Sequence, residues 1–495
     1  MVESFDKGLL SELKPVFYPK SIAIIGASQD VQKYSYLWIS SLMNADFTGD
    51  IYPVNPRGGE LLGLKIYPSL MAIPKMVDYV IVITPRKAAS NLLSDCAAKK
   101  VKAIHFFTAG FNEADDTTGY ELEEELARKA RQHGFRIIGP NCIGTYCPEH
   151  KLPLGPPGVI GKSGSVGFIS QSGGISHKFL DMGIARGINY SKGVSFGNGT
   201  DLDSIDFLKY LAIDPKTSVI GAYLEGTRDG RRLFNTMKEI TKVKPLIVWK
   251  GGRTDVGAAT AKSHTGSLAS SAAIWSAAFK QANITEVYSM EEMADTLLIF
   301  QQLQKWHGKG IAIVGGLANG GGGISVSASD VCAELGLSIP LLSPSTRQQL
   351  TNLLGHVGSI LRNPVDISQY GGKPSILKKA LKLILADQAI DLILIQEDVG
   401  VLLEYLPWEQ IEAINDIIMD FSAKQGKPIV IVLPPGSTET KRLQAEHKLL
   451  QGAIPVFPSM ERAAKAIMNI SRYSLSKAAS EKLRGQQELA PLPHL

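Results

Sequence analysis

Ser21-Ile-Ala-Ile-Ile-Gly26-Ala-Ser28-Gln29 runs apolar for the length of a short strand and then breaks on small residues. An unalternated apolar run marks a strand buried on both faces, as in parallel sheets. The pattern returns twice. Ser165-Val-Gly-Phe-Ile-Ser170 leads into Gln171-Ser-Gly-Gly174, and Gly310-Ile-Ala-Ile-Val-Gly315 leads into Asn319-Gly-Gly-Gly-Gly323. Each is a strand, a glycine-rich turn and a helical start, and further strands follow each opening. After the first come Ile51–Asn55, Tyr79–Thr84, Ala103–Phe107 and Arg136–Gly139, with a helical stretch from Tyr120 to His133. After the second come a strand near Val194, Ser218–Leu224, Pro245–Trp249 and an amphipathic stretch from Met290 to Leu303. Asp391–Ile395 and Pro428–Leu433 belong to the third, closed by a helix from Met460 to Met468. Strands alternating with helices predict an α/β chain of three doubly wound parallel sheets, a Rossmann-like domain followed by two flavodoxin-like ones. The expected limits are 1–150, 160–303 and 308–474, with a Pro/Gly-rich connector at Leu152–Gly158 and a loosely ordered tail over 475–495.

Composition narrows the function. In 495 residues, 44% are hydrophobic and 20% charged, and the formal net charge is +5. That charge is spread without a basic stripe, so a nucleic-acid partner is not expected. No apolar run is long enough to span a bilayer, and the N-terminus lacks a secretory signature, so no membrane is expected. Cys96, Cys142, Cys147 and Cys332 are scattered, with no partner set at zinc-ligand spacing; they read as buried free thiols and no metal site is expected. These features together point to a cytoplasmic protein.

The glycine-rich turns suit anions, because a helix start offers free backbone N–H groups and the positive end of the helix dipole. Each alone could equally be a tight connection. The turn Gly26-Ala-Ser28-Gln29 falls short of the full dinucleotide fingerprint, and the next strand ends in Asn55-Pro56 where a dehydrogenase carries an acid for the ribose. A phosphate-bearing cofactor that needs no such carboxylate, coenzyme A, fits better. The segment Lys250-Gly-Gly-Arg-Thr254-Asp-Val-Gly-Ala258, continued by Ala261-Lys-Ser263-His264-Thr265-Gly266-Ser267, is dense in small and hydroxyl residues. An accessible imidazole there could take a phosphoryl group. On composition alone, an incidental surface histidine is the commoner case.

The stretch Gly252–Leu268 closely resembles the phosphohistidine segment of the alpha subunit of ADP-forming acetyl-CoA synthetases, in the succinate–CoA ligase superfamily. The resemblance continues through Gly139-Pro-Asn141-Cys142-Ile-Gly144, Ser170-Gln171-Ser172-Gly173-Gly174, Ser195-Phe-Gly197-Asn198-Gly, Tyr223-Leu-Glu225-Gly and Asn363-Pro364-Val-Asp366. It implies an acid–thiol ligase that interconverts acyl-CoA, ADP and phosphate with carboxylic acid, CoA and ATP. By position it implies His264 as phosphoryl carrier and Glu225 as the carboxylate that orients it. Ser172, Gly173 and Gly174 match one phosphate-binding helix start, and Gly321, Gly322 and Gly323 the other. That second turn departs from the family's pattern by an extra glycine and by Ile324.

The resemblance further assigns Gly26, Ala27, Ser28 and Gln29 to the CoA phosphates, and Asn55, Pro56, Thr84 and Pro85 to the adenosine side. Thr108, Ala109 and Gly110 match the pantetheine channel, and Asn141 the neighbourhood of the thioester. A small carboxylic acid is the implied substrate. Mg-ADP/ATP is implied on an ATP-grasp beta subunit, in a heterotetramer or similar heteromer. His177 is read as a helix-surface or satisfied buried histidine, and His105 and His356 as structural. The alternative is a divergent CoA-binding regulatory or acyl-transfer protein of the same fold.

Overall fold

The computed structural model describes residues 8–488, apart from 115, 157, 159, 266–270, 305, 316–320, 356–359 and 368–371; the side chains at 90, 261–265, 321, 425 and 479–488 also lie outside the description. The chain divides into two compact units, Met1–Leu297 and Leu298–Leu495.

The first unit holds two sheets. Strands β1 (Ser21–Ile25) and β2 (Asp50–Val54) are followed by a small antiparallel ribbon, β3 (Gly59–Leu61) and β4 (Leu64–Ile66), and then by β5 (Tyr79–Val82), β6 (Ala103–Phe106) and β7 (Arg136–Ile138). The first sheet is parallel throughout, in the order β2-β1-β5-β6-β7. Ile22, Ala23 and Ile24 are fully buried, as their unbroken apolar run requires. The helix Thr117–His133 covers one face; Asp116 caps its start and Gly134, in the left-handed region, ends it.

Strands β8 (Gly144–Tyr146), β9 (Ser163–Ser170), β10 (Tyr190–Ser195), β11 (Val219–Leu224), β12 (Leu246–Lys250) and β13 (Thr285–Val287) form the second sheet, in the order β13-β12-β11-β9-β10-β8. Among the described strands of this sheet only β8 runs antiparallel, pairing Val194 with Thr145. Its sequence follows the last strand of the first sheet, so it stitches the two sheets together. Ile143 N–H donates to Ser195 Oγ at 3.2 Å, and Asn198 N–H donates to the Pro140 carbonyl at 3.1 Å.

Between the sheets, His105 donates or accepts at 3.1 Å through Nε2 with the Cys142 carbonyl. Burial pushes its pKa down to about 4. Gly144 lies against this ring with φ +88°, and a Cβ there would sit 2.5 Å from it. The reading of His105 as structural agrees with this packing. All four cysteines are buried and free.

The second unit carries β14 (Ile311–Gly315), β15 (Val365–Asp366), β16 (Leu392–Gln396), β17 (Ile429–Val432) and β18 (Val456–Phe457), in the order β15-β14-β16-β17-β18. Counted along the parallel strands, all three sheets share the order 2-1-3-4-5, with the switch point beside the first strand. In such sheets ligands bind at the C-terminal ends of the strands flanking that point. The closing helix starts at Met460 as expected and continues to Glu488, so 475–488 is helical and not a loose tail. Its Lys, Ala, Glu, Leu and Arg content favours helix even where the apolar period fades.

Candidate active site

At the switch point of the second sheet, β9 and β11 lie side by side, with Tyr223 opposite Ser170. Gln171 therefore emerges next to Glu225. The Gln171 side-chain carbonyl accepts from the N–H groups of both Glu225 and Gly226, the latter at 2.9 Å. Ser172 caps the helix Gly173–Ala185 by accepting from Ile175 N–H. At Gly173 a Cβ would come within 2.8 Å of the Ile143 side chain, so only glycine lets the β8 connection lie this close to the helix start. A Cβ at Gly174 would face open space. Free N–H groups at an open helix start form an anion cradle.

Glu225 is buried, and its Oε2 has no hydrogen-bond partner among the described residues. Beside it the Tyr223 hydroxyl is pushed up by burial first, then by the charge of Glu225 and a hydrogen bond to it. Lys250, at the end of the next strand, donates through Nζ to the Glu225 backbone carbonyl at 2.7 Å and to the Gly251 carbonyl. Burial holds its pKa below the usual lysine value, opposed by the nearby Glu225 charge. A buried carboxylate with a spare acceptor oxygen can orient and stabilise an imidazolium.

A cleft of about 540 Å³ opens in front of this helix start. It is lined by Thr84, Pro85, Thr108, Ala109 and Asn141 from the first-sheet side, and by Gln171, Gly173 and Gly174 from the second, with Ile83, Phe107, Cys142 and Ile143 as apolar walls. Thr108 Oγ1 donates to the Thr84 carbonyl at 2.7 Å, and Asn141 N–H to the Thr108 carbonyl at 3.0 Å, which fixes the rim. Gly26, Ala27, Asn55 and their neighbours form a separate cluster at the switch point of the first sheet. Gly26 and Ala27 donate to the Val54 carbonyl, Asn55 Nδ2 donates to the Ala27 carbonyl at 2.8 Å, and Gln29 Nε2 donates to the Glu60 carbonyl. Ser28 and Pro56 lie on the same turns. Gly110 does not line the cleft; Arg86 donates to its carbonyl, and its N–H donates to Glu113 at 2.6 Å.

His264 falls near the end of the helix Asp255–Thr265, which packs on the turn Asn112–Ala114; its side chain lies outside the described residues. In the second unit Gly321, Gly322 and Gly323 begin the helix Gly321–Glu334, and a Cβ at Gly322 would lie 4.0 Å from Asp366 Oδ2. The preceding turn, 316–320, and His356 are outside the description. His177 is half-buried on the helix Gly173–Ala185.

Sequence reasoning passed over Gln171 and Lys250. Both sit in segments it singled out, but only backbone geometry shows one capping two N–H groups and the other tying down the Glu225 carbonyl. Among the described residues, no cluster of three or more His, Cys, Asp or Glu side chains could hold a metal ion, and no helix is long and apolar enough to cross a membrane.

Residues 20–148 match the model of a CoA binding domain, and residues 163–300 that of a succinyl-CoA ligase like flavodoxin domain. The alpha subunit of acetate–CoA ligase [ADP-forming] I from Pyrococcus furiosus is 34% identical over 475 residues, 94% of this chain and 98% of that subunit. An acetate–CoA ligase [ADP-forming] from Methanocaldococcus jannaschii is 37% identical over 356 residues, 72% of this chain but 49% of that protein, so the match spans about half of that relative. The structure of a dinucleotide-forming acetyl-coenzyme A synthetase 1 from Ca. Korarchaeum cryptofilum, in complex with phosphate and ADP, superposes with a TM-score of 0.82 at 30% identity, covering 97% of this chain and 99% of that one. With a CoA-binding domain, a ligase-type flavodoxin domain and an alpha subunit matched almost end to end, this chain belongs to the family of ADP-forming acetate–CoA ligases, on the alpha-subunit side.

Proposed function

We propose that this chain carries the acyl-CoA, phosphate and phosphohistidine half of an ADP-forming acyl–CoA ligation in the cytoplasm. Its parts are a CoA-binding region over 1–150, a histidine-bearing region over 160–303 and a second phosphate region over 308–474. CoA enters with its phosphates at Gly26–Gln29, its adenosine end by Asn55, Pro56, Thr84 and Pro85, and its pantetheine along Thr108 and Ala109, with Gly110 just outside the cleft. The thioester then lies by Asn141, with phosphate on the helix start Ser172–Gly174.

A phosphate oxygen attacks the thioester carbon. The new C–O bond forms as the C–S bond breaks, and CoA leaves as the protonated thiol. An imidazole nitrogen of His264 then attacks phosphorus, and the carboxylate departs as the P–O bond breaks. Glu225 holds the imidazolium that results. The phosphoryl group passes to ADP on an ATP-grasp beta subunit, with Gly321–Gly323 as the second cradle, in a heterotetramer or similar assembly with Mg-ADP/ATP on the partner.

The observation that carries this reading is the buried Glu225 carboxylate, with an oxygen unpartnered among the described residues, near a helix start where a Cβ on Gly174 would meet none of them. Phosphohistidine is stable in alkali and labile in acid. Wild-type chain given acyl-CoA and radiolabelled phosphate is expected to acquire such a label at His264. His264→Ala should acquire none while keeping CoA affinity. Undiminished turnover in His264→Ala overturns the mechanism.

A further inference from the structure

The amide of Gln171 has its orientation forced. Two backbone N–H groups, from Glu225 and Gly226, converge on one end of it, and only a carbonyl oxygen can accept both. The other end is therefore the NH2 group. Gln171 lines the cleft with Asn141, Gly173 and Gly174, and its Nε2 makes no hydrogen bond among the described residues. Its backbone is equally fixed, since Gln171 N–H donates to the Tyr223 carbonyl at 3.1 Å. The result is a preorganised NH2 group held by two strands and a helix cap, on a residue that shares the wall of the cleft with Asn141, Gly173 and Gly174.

We propose that Gln171 is a catalytic residue whose Nε2 donates to the acyl oxygen of the substrate as phosphate attacks. This rests on the reaction proposed above. When the phosphate oxygen adds to the thioester carbon, the carbonyl oxygen gains negative charge; when the C–S bond breaks, that charge returns to the carbonyl and the thiolate takes the proton that the attacking hydrogen phosphate gives up. A fixed donor that strengthens its bond only while the charge is present accelerates this step and leaves ground-state binding alone. His264 acts later, on phosphorus, with Glu225 holding its imidazolium, so the two roles separate in time.

The test uses arsenate, which replaces phosphate and gives an acyl arsenate that hydrolyses, so thiol release from acyl-CoA reads the first step without His264. The full chain, alone and with its partner subunit, is assayed with acetyl-, isobutyryl- and phenylacetyl-CoA. Gln171→Glu keeps the acceptor for both N–H groups but removes the donor. It should lower kcat roughly 10²–10³-fold with KM for acyl-CoA little changed, in the range seen for loss of one oxyanion donor. Activity should partly recover as pH falls and the new carboxyl regains a proton to donate. Gln171→Met, which neither donates nor accepts comparably, should show a similar kcat loss and serves if Gln171→Glu does not fold. Wild-type kcat in either variant overturns the proposal and leaves Gln171 as a cap. No phosphate- or arsenate-dependent thiol release by the wild-type complex overturns the reaction itself.

Discussion

Gly144→Ala should loosen the joint between the first two sheets, and the cost can be worked from its surroundings. Gly144 has φ +88°, and an added Cβ would meet the fully buried His105 ring at 2.5–2.6 Å. The ring cannot swing aside freely. It is hydrogen-bonded to the Cys142 carbonyl and packs edge-on against Trp38 at 5.6 Å. The backbone conformation costs about 1 kcal/mol for a residue with a Cβ, and overpacking a filled core costs about 1–3 kcal/mol. A total of about 2–4 kcal/mol corresponds to a drop in Tm of roughly 4–10 °C for a domain of a few hundred residues. Because the displaced strand carries Asn141–Ile143 into the cleft, CoA affinity should weaken alongside Tm. Thermal denaturation and isothermal titration with CoA check both. A Gly144→Ala protein with unchanged Tm and CoA affinity refutes the idea that this contact holds the cleft in shape.

Glu225→Gln should slow phosphohistidine formation roughly 10²–10⁴-fold while preserving arsenolysis; equal rates of histidine labelling reduce Glu225 to a structural role. His105 makes stability depend on acid. Its folded pKa of about 4 lies below the ordinary histidine value of 6.5, so the unfolded chain binds the proton first. Its contribution is intact above pH 6.5 and lost as pH falls toward 4, by up to about 3 kcal/mol. Replacing His105 with Leu should flatten that part of the urea midpoint-versus-pH curve, and an unchanged slope contradicts it.

The strands named from the sequence were legible because most of their residues are buried on both faces, so an apolar run needs no alternation to stand out; Ile22–Ile24 and Ile311–Val314 are the plainest cases. Gly144–Tyr146 escaped notice because Gly-Thr-Tyr is too short for any period, and its partner strand is far away in sequence. The helical extension past Met468 escaped because the exposed face no longer repeats apolar residues. In the site, Glu225, Asn141 and the Ser172–Gly174 turn could be named from resemblance, whereas Gln171 could not. Its role depends on which end of an amide meets two converging N–H groups, a matter of three-dimensional convergence that no local pattern encodes.

The antiparallel strand Gly144–Tyr146 also bears on how the molecule can be divided. It covers the flank of Tyr190–Ser195, which would otherwise be an open edge of unpaired N–H and C=O groups. A fragment begun at Ser163 would present that bare edge to its neighbours and invite association, while one ended near Ile138 would lose the segment that shapes its own half of the cleft. The two halves of the first unit share a border that belongs to neither. Excision of either for separate study has to carry residues 139–150 with the second half, even though the sequence assigns them to the first.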